Sequence, residues 1–263
     1  MIELIKLTPQ TVPAESRRIK KYILVWCSKG KIKMEVDSIE FTIPAECIIT
    51  ITSGQFHRFV ETDSGEGVAL QFTYDFFCKA TRDIELVFQN GLFCHFDRNE
   101  VIDVSNHPSI GNHLSSIERE LEEKPFQFLT SIHSRIELIL VEINRAKVLM
   151  GEEIWKPNAL FLEFLELIRS DFQHNRPVKY YAEKLLTTEL VLNELSKQHA
   201  GKTAQQVMHG LIISEAKRLF FYESHSVKEV AYALGFKDPF YFSNFFKKHT
   251  GFSPQAFKDS SAD

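Results

Sequence analysis

The stretch over residues 226–258 constrains the fold most, because it specifies two short helices joined by a tight turn. Ser226 can cap a first helix with its hydroxyl, and the Glu229 carboxylate can accept from the Ser226 backbone N–H, which makes a capping box. Gly235 stands where a left-handed residue would end that helix. Asp238 can then cap a second helix, in which proline takes the first position. This pattern predicts a helix-turn-helix.

The predicted second helix has two different faces. The side chains expected to pack inward recur at helical spacing, and they are Phe242, Phe245, Phe246 and His249. The outward positions are Phe240, Ser243, Asn244, Lys247 and Lys248. Because the outward face is polar and basic with few acids, it suits the major groove of DNA. The alternative is an ordinary helical hairpin whose outer face is only solvated.

Length and composition indicate a globular chain with two domains. The chain has 263 residues, of which 44% are hydrophobic and 25% charged. Its N-terminal sequence MIELIKLTPQ lacks the features of a signal peptide, and no stretch approaches the roughly 18 apolar residues of a membrane span. We therefore expect a soluble, cytoplasmic protein without membrane contact.

The formal net charge of −4 is unevenly distributed along the chain. Residues 158–258 contain 13 Lys and Arg against 10 Asp and Glu, whereas residues 1–157 contain 18 against 23. The basic excess therefore falls on the part that carries the helix-turn-helix. Because phosphate neutralisation drives nonspecific DNA binding, this small excess predicts a modest, salt-sensitive affinity.

The N-terminal part alternates apolar and polar residues with the two-residue period of a strand. Predicted strands cover residues 31–37, 39–44, 48–52, 56–60 and 68–74. Many short strands at even spacing indicate a barrel or a sandwich. Beyond them we expect a helix over 76–88, one or two strands over 92–104 and an amphipathic helix over 109–124.

His57 is the chemically suggestive residue among these strands. A metal-binding barrel would need a second histidine two residues later, where Phe59 stands, and the four cysteines form no C-x-x-C pair. We therefore expect no metal, no cofactor and no catalysis. A small-molecule pocket needs only an apolar cavity with a few polar groups. Its candidate lining is Trp26, Met34, Phe41, His57, Phe72 and Tyr74, with ordinary core packing as the alternative.

A long helix predicted over residues 126–150 carries an apolar row with three- and four-residue spacing, which is typical of a coiled-coil seam. The candidate dimer interface is Leu129, Ile132, Ile136, Ile139 and Ile143. The alternative is that this row packs within the chain. Residues 151–157 break the pattern and end in a proline, so they are the predicted linker.

Another helix-turn-helix is predicted earlier in the chain, before the one over residues 226–258. One threonine of the pair Thr187-Thr188 can cap its second helix, Gly201 can end that helix, and Thr203 can cap a connecting helix of about twenty residues. Twenty helical residues rise about 30 Å, whereas recognition elements in successive major grooves lie roughly 34 Å apart. One chain could therefore offer two recognition helices to successive grooves.

These motifs resemble the AraC/XylS family of bacterial transcription regulators. The strongest match is LGFKDPFYFSNFFKKHTGFSPQAFK, and it is supported by EAKRLF in the connecting helix. The resemblance implies an α+β chain with a cupin-like sensor barrel (residues 1–105), a helical dimerisation segment (106–150), the linker (151–157) and an all-α double helix-turn-helix DNA-binding domain (158–258). The N-terminal half is similar to the family's sensor domains mainly in its strand pattern.

The resemblance also implies roles for single residues. Base readers would be Asp238, Phe240, Ser243 and Asn244 in the second recognition helix, and Glu189, Leu190, Asn193 and Glu194 in the first. Phosphate contacts would come from Lys237, Lys247, Lys248, Lys197 and Lys202. The chain departs from the family pattern at Glu189 and Glu194, because a carboxylate repels phosphate unless it accepts from cytosine N4. The second helix is therefore expected to be the better reader.

The expected function is a homodimeric, sequence-specific transcription regulator that binds double-stranded DNA, works with RNA polymerase and responds to a small-molecule effector in the barrel. Two alternatives remain open. One is a cupin-type metal-dependent enzyme with a helical appendage, which the missing second histidine disfavours. The other is a regulator whose barrel binds no effector and serves protein contacts only.

Overall fold

The structure is a computed structural model. It describes residues 1–9, 17–37, 39–60, 65–88, 92–93, 99–150, 158–222 and 225–260. Two compact units are present, Met1–Pro157 and Asn158–Asp263. The predicted linker over residues 151–157 lies outside the described residues. Within the described ranges, no helix is both long enough and apolar enough to cross a membrane.

The N-terminal unit contains two antiparallel β-sheets. The strands are β1 (Ile2–Leu7), β2 (Arg17–Arg18), β3 (Tyr22–Lys29), β4 (Lys31–Val36), β5 (Ile39–Pro44), β6 (Cys47–Ile51), β7 (Phe56–Val60), β8 (Glu66–Phe72) and β9 (Val101–Asp103). One sheet has the order β1-β8-β3-β6-β9, and the other has the order β2-β7-β4-β5. The five strands predicted over residues 31–74 are confirmed to within two residues at each end.

The two sheets enclose an apolar core, but they do not form the cupin-like barrel that the family resemblance implied. The strand pattern by itself predicted a barrel or a sandwich. Strands β9 and β5 are the last strands of their sheets, and no ladder joins the two sheets in the part of the chain that is described. Side chains from both sheets form the core, among them Val25, Ile49 and Ala69 from one sheet and Met34 and Phe59 from the other. The arrangement is a sandwich, because period-two alternation determines an inner face without determining which edge strands pair.

The described part of this unit also contains α1 (Tyr74–Phe77) and α2 (Thr81–Phe88), which lie between β8 and β9, and α3 (Ser109–Glu123) and α4 (Phe128–Leu149), which follow β9. The single helix expected over residues 76–88 is divided in two. Its interruption has a local cause, because the Asp83 carboxylate accepts from the backbone N–H groups of Lys79 and Ala80, both at 3.0 Å. These bonds satisfy donors at the start of α2.

The apolar row of α4 packs inside the chain, which corrects the predicted dimer interface. Ile132, Ile136, Ile139 and Ile143 are at most 1% exposed, because α3 packs against this face of α4. A second copy therefore cannot reach these four side chains in the folded unit. Leu129 is the one member of the predicted interface that remains on the surface, with 44% of its area exposed.

The C-terminal unit is all-helical. It contains α5 (Ala159–Ser170), a short 3-10 helix (Phe172–His174), α6 (Val178–Lys184), α7 (Glu189–Ala200), α8 (Ala204–Tyr222), α9 (Val227–Ala233), α10 (Pro239–Thr250) and α11 (Pro254–Ser260). Aromatic rings from three helices build the core around Phe220, whose ring centroid lies 5.6 Å from that of Phe246 and 6.5 Å from that of Phe257. These contacts fix α10 and α11 against α8.

Candidate nucleic-acid interface

The start of α9 has the capping box that the sequence predicts. The Glu229 N–H donates to Ser226 Oγ at 3.3 Å, and the Ser226 N–H donates to Glu229 Oε2 at 2.7 Å. The hydrogen bond from the Ser226 backbone lowers the pKa of the exposed Glu229 carboxyl. Two donors that would otherwise lack partners are satisfied, so the helix begins at a defined residue.

The turn between α9 and α10 requires a glycine for two reasons. Gly235 has φ +74°, and the following Phe236 N–H donates to the Ala231 carbonyl at 2.9 Å. A Cβ at Gly235 would lie 2.5 Å from the Gln173 carbonyl oxygen. The turn therefore combines a left-handed backbone with close approach to the 3-10 helix.

The turn between α6 and α7 uses the same hydrogen bond without a glycine. The Thr187 N–H donates to the Ala182 carbonyl at 2.9 Å, and Leu186 takes the left-handed position with φ +51°. Leu186 is 95% exposed. Thr188 then caps α7 by accepting from the Val191 N–H at 3.3 Å. The two helix-turn-helix pairs therefore share one turn geometry although their turn residues differ.

The outer face of α10 carries most of the predicted contact residues. Phe240, Asn244, Lys247 and Lys248 are exposed on α10, and Lys237 is exposed just before it. Two other predicted readers already make bonds within the helix. The Asp238 carboxylate accepts from the Phe240 N–H at 2.9 Å, and Ser243 Oγ donates to the Pro239 carbonyl at 2.8 Å.

On α7 the structure changes the role of one predicted reader. Asn193 is half-buried, its Nδ2 donates to the Glu189 carbonyl at 3.0 Å, and its Oδ1 accepts from the Ala204 N–H at 3.0 Å. Both ends of this amide are engaged, so it holds the start of α8 and is not free to read a base. The other predicted contacts at this helix are exposed, and they are Glu189, Leu190, Glu194, Lys197 and Lys202.

A histidine pair lies where α8 meets the C-terminal end of α10. The ring of His209 lies 5.0 Å from that of Phe245 and 4.9 Å from that of His249. Burial lowers the pKa of His209, with smaller contributions from His249 and Lys248. Burial also lowers the pKa of His249, with a smaller contribution from Lys248. At neutral pH the positive charge at this end of α10 therefore comes from its lysines. His249, expected to pack inward, is exposed overall, although its ring contacts those of His209 and Phe245.

Three of the six residues predicted to line an effector pocket share one environment. Met34 pairs in register with Phe41 and Phe59, and His57 pairs with Val36. Because directly opposite residues on paired strands point to the same face, these side chains point toward the core between the sheets. His57 is only 2% exposed.

The other three predicted pocket residues lie elsewhere. Trp26 and Phe72 lie on the face of the five-stranded sheet that points away from the core between the sheets, because residues along a strand alternate between faces. Phe72 packs on Phe77 with ring centroids 5.4 Å apart, and a Cβ at Gly111 would lie 2.9 Å from the Trp26 ring. Tyr74 begins α1. The predicted pocket is therefore divided.

Gln71 is a polar residue of the inner face that the sequence analysis missed. It pairs with Ile23 in the register, and it is 2% exposed. Its Nε2 has no hydrogen-bond partner among the described residues. Extending the strand alternation from Ala69 would have placed it in the core. Among the residues that the structure describes, no three His, Cys, Asp or Glu side chains are grouped to hold a metal ion.

Comparisons with known proteins include a family match inside the C-terminal unit. Residues 181–260 match a family model described as "Helix-turn-helix domain". The chain is 27% identical over 117 residues to the "HTH-type transcriptional activator RhaS" of Salmonella paratyphi B, and to that of Salmonella newport. The match covers 44% of this chain and 41% of RhaS, so the chain spans about two fifths of these relatives.

Solved structures give more distant likenesses. Fatty-acid-bound ToxT from Vibrio cholerae has 16% identity and a TM-score of 0.42, and the match covers 98% of this chain and 94% of ToxT. A DNA-binding transcriptional dual regulator from Escherichia coli K-12 has 21% identity and a TM-score of 0.37, with 42% and 98% covered. The family match and the two pairs with one turn geometry lead to one conclusion. The C-terminal unit of this chain contains a helix-turn-helix domain, which the family model places over residues 181–260.

Proposed function

We propose that the chain is a sequence-specific, DNA-binding transcription regulator. One observation carries the proposal: two helix-turn-helix pairs with the same turn hydrogen bond each present an exposed recognition helix, α7 and α10. The connecting helix α8 has 19 residues and is about 28 Å long, which is close to one turn of DNA. The RhaS match adds that the related protein is named a transcriptional activator.

Within this proposal the exposed residues divide into two roles. Asn244 can read a base edge, since an amide can bond adenine N6 and N7. Lys237, Lys247 and Lys248 contact phosphates beside α10, and Lys197 and Lys202 do so beside α7. Because α7 also exposes Glu189 and Glu194, the second recognition helix contributes more to affinity.

A pair of substitutions on α10 tests these roles. Asn244→Ala is expected to lose discrimination at one or two base pairs, at a cost of about 1 to 3 kcal/mol on the preferred sequence. Lys247→Ala is expected to weaken all sequences alike and to reduce the slope of log K against log salt by about 1. Fluorescence anisotropy against duplexes selected from a random pool measures both quantities. Unchanged specificity and an unchanged salt slope in both variants would contradict the proposal that α10 lies in the major groove.

We also propose that the N-terminal sandwich binds a small-molecule effector between its sheets. The support is that the buried polar residues His57 and Gln71 lie on the strand faces that carry the apolar core between the sheets, since ligand sites combine apolar walls with a few polar groups. A ligand at 100 times its Kd is expected to stabilise the protein by about 2.7 kcal/mol, which a thermal-shift screen of metabolites detects. Gln71→Leu keeps the size of the side chain and is expected to abolish the shift. A hit that is indifferent to Gln71→Leu would place the ligand elsewhere.

The remaining parts of the proposal concern the oligomeric state, the cellular location and the protein partner. We propose a homodimer that acts in the cytoplasm and contacts RNA polymerase. The exposed face of α4 is the proposed dimer surface, because Leu138 and Val141 line an open groove of about 500 Å³ between α2 and α4. Leu138 is 49% exposed there. This surface replaces the buried isoleucine row as the candidate interface.

A further inference from the structure

The two recognition helices share an unexpected feature in their first turn. The second residue of α7 (Glu189–Ala200) is Leu190, and the second residue of α10 (Pro239–Thr250) is Phe240. Leu190 is 68% exposed and Phe240 is 72% exposed. A large apolar side chain left in water does not stabilise the folded chain. Its occurrence at the same position of both helices places a matching apolar contact surface on each recognition helix.

We infer that Leu190 and Phe240 each contact the C5-methyl group of a thymine, so that the protein selects DNA with thymine at two fixed positions. This inference rests on the proposed DNA-binding function. In helix-turn-helix proteins the N-terminal residues of the recognition helix reach the base edges. The thymine methyl is the apolar group on the major-groove edge, and phenylalanine and other apolar side chains recognise it.

Three polar side chains near Leu190 and Phe240 are engaged inside the protein, which favours an apolar contact at these two positions. The Asp238 carboxylate accepts from the Phe240 N–H, and the Ser243 hydroxyl donates to the carbonyl of Pro239. On the first helix the Asn193 amide bonds to backbone groups at both ends. The surface that the first turn of α10 can place against a base edge is therefore mainly apolar.

The length of α8 sets the expected spacing of the two thymines. A helix of 19 residues is about 28 Å long, so α7 and α10 reach adjacent major grooves. Adjacent grooves on one side of the duplex are separated by one helical turn, about 10 base pairs. The two methyl contacts are therefore expected about one turn apart.

The test uses the full chain and a DNA duplex enriched from a random-sequence pool. Each thymine of that duplex is replaced in turn by deoxyuridine, which keeps the base-pairing edge and lacks only the C5-methyl group. Binding is expected to fall about fourfold at two thymines one turn apart, as expected for the loss of one buried methyl group. Replacement of the other thymines is expected to leave the affinity unchanged.

Single substitutions then assign each thymine to its side chain. Phe240→Ala is expected to remove the sensitivity to deoxyuridine at one position only, and Leu190→Ala at the other only. Tyr241→Ala is the matched control, because Tyr241 is also aromatic and 65% exposed, but its ring lies 6.1 Å from that of Phe236. It is expected to keep both sensitivities. Circular dichroism verifies that each variant is folded.

The outcomes separate the inference from the function on which it rests. If no duplex is enriched, the proposed DNA-binding function is contradicted. If an enriched duplex binds equally well with thymine and with deoxyuridine everywhere, the function stands and the inference is overturned. A sensitivity that persists in both Phe240→Ala and Leu190→Ala also overturns it, because the methyl contact then comes from other residues.

Discussion

A Gly235→Ala variant is expected to lose roughly 2 to 5 kcal/mol of the unfolding free energy of the C-terminal unit. About 1 to 2 kcal/mol comes from forcing an L-residue into the left-handed conformation with φ +74°. A further 1 to 3 kcal/mol or so comes from overpacking, because the new Cβ would lie 2.5 Å from the Gln173 carbonyl oxygen and 2.8 Å from the His174 carbonyl carbon. Urea unfolding followed by circular dichroism measures the loss as a lower midpoint.

Gly251→Ala is the matched control for this substitution. Gly251 directly follows α10 and also has a positive φ, +83°, but a Cβ there meets nothing within 4 Å. The control therefore carries the conformational cost alone, about 1 to 2 kcal/mol. Equal losses in the two variants would show that contact with the 3-10 helix plays no part. Because Gly235 forms the turn before α10, the Gly235→Ala variant is also expected to lose DNA binding at urea concentrations near its unfolding midpoint.

An Ile136→Asp variant is expected to unfold much of the N-terminal unit. Ile136 is 1% exposed at the contact between α4 and α3. Truncating such a side chain costs about 2 to 5 kcal/mol, and an unpaired carboxylate in the same place adds several more. That total rivals the whole stability of a typical domain, about 5 to 15 kcal/mol. The expected results are a loss of the β-sheet signal in circular dichroism and rapid cleavage in limited proteolysis.

Leu138→Asp provides the control on the same helix. Leu138 is 49% exposed, so the new carboxylate stays hydrated and the unit is expected to remain folded, within about 1 kcal/mol of the parent. If the exposed face of α4 forms the proposed dimer, sedimentation of this folded variant shows monomers. A folded, monomeric Ile136→Asp protein would instead restore the buried row as the contact between copies.

Local signals in the sequence were sufficient for most element boundaries. The capping box at Ser226 and the cap at Asp238 were predicted, and both are confirmed by side-chain hydrogen bonds. Of the two threonines predicted to cap α7, Thr188 is the one that does so. Such bonds join groups two or three residues apart, so the amino-acid order alone determines them. The strands were predicted for the same reason, because alternation is also a local property.

Tertiary structure decided which side chains face which partner. Asn193 and Asn244 look alike as exposed helical amides in the sequence, but only Asn193 meets the start of α8 and is used there. Trp26 and Met34 look alike as apolar strand residues, but strand pairing puts them in different layers. These outcomes depend on groups that are distant along the chain.

The sequence by itself therefore determined the helix-turn-helix motifs, their caps and turns, and the strand-rich character of the N-terminal half. Only the tertiary structure decided that the strands form an open sandwich, and that the isoleucine row of α4 is covered by α3. It also decided that Leu190 and Phe240 remain exposed at matching positions. The physical reason is the range of the interactions, since capping and periodicity act within a few residues while burial depends on the whole packed chain.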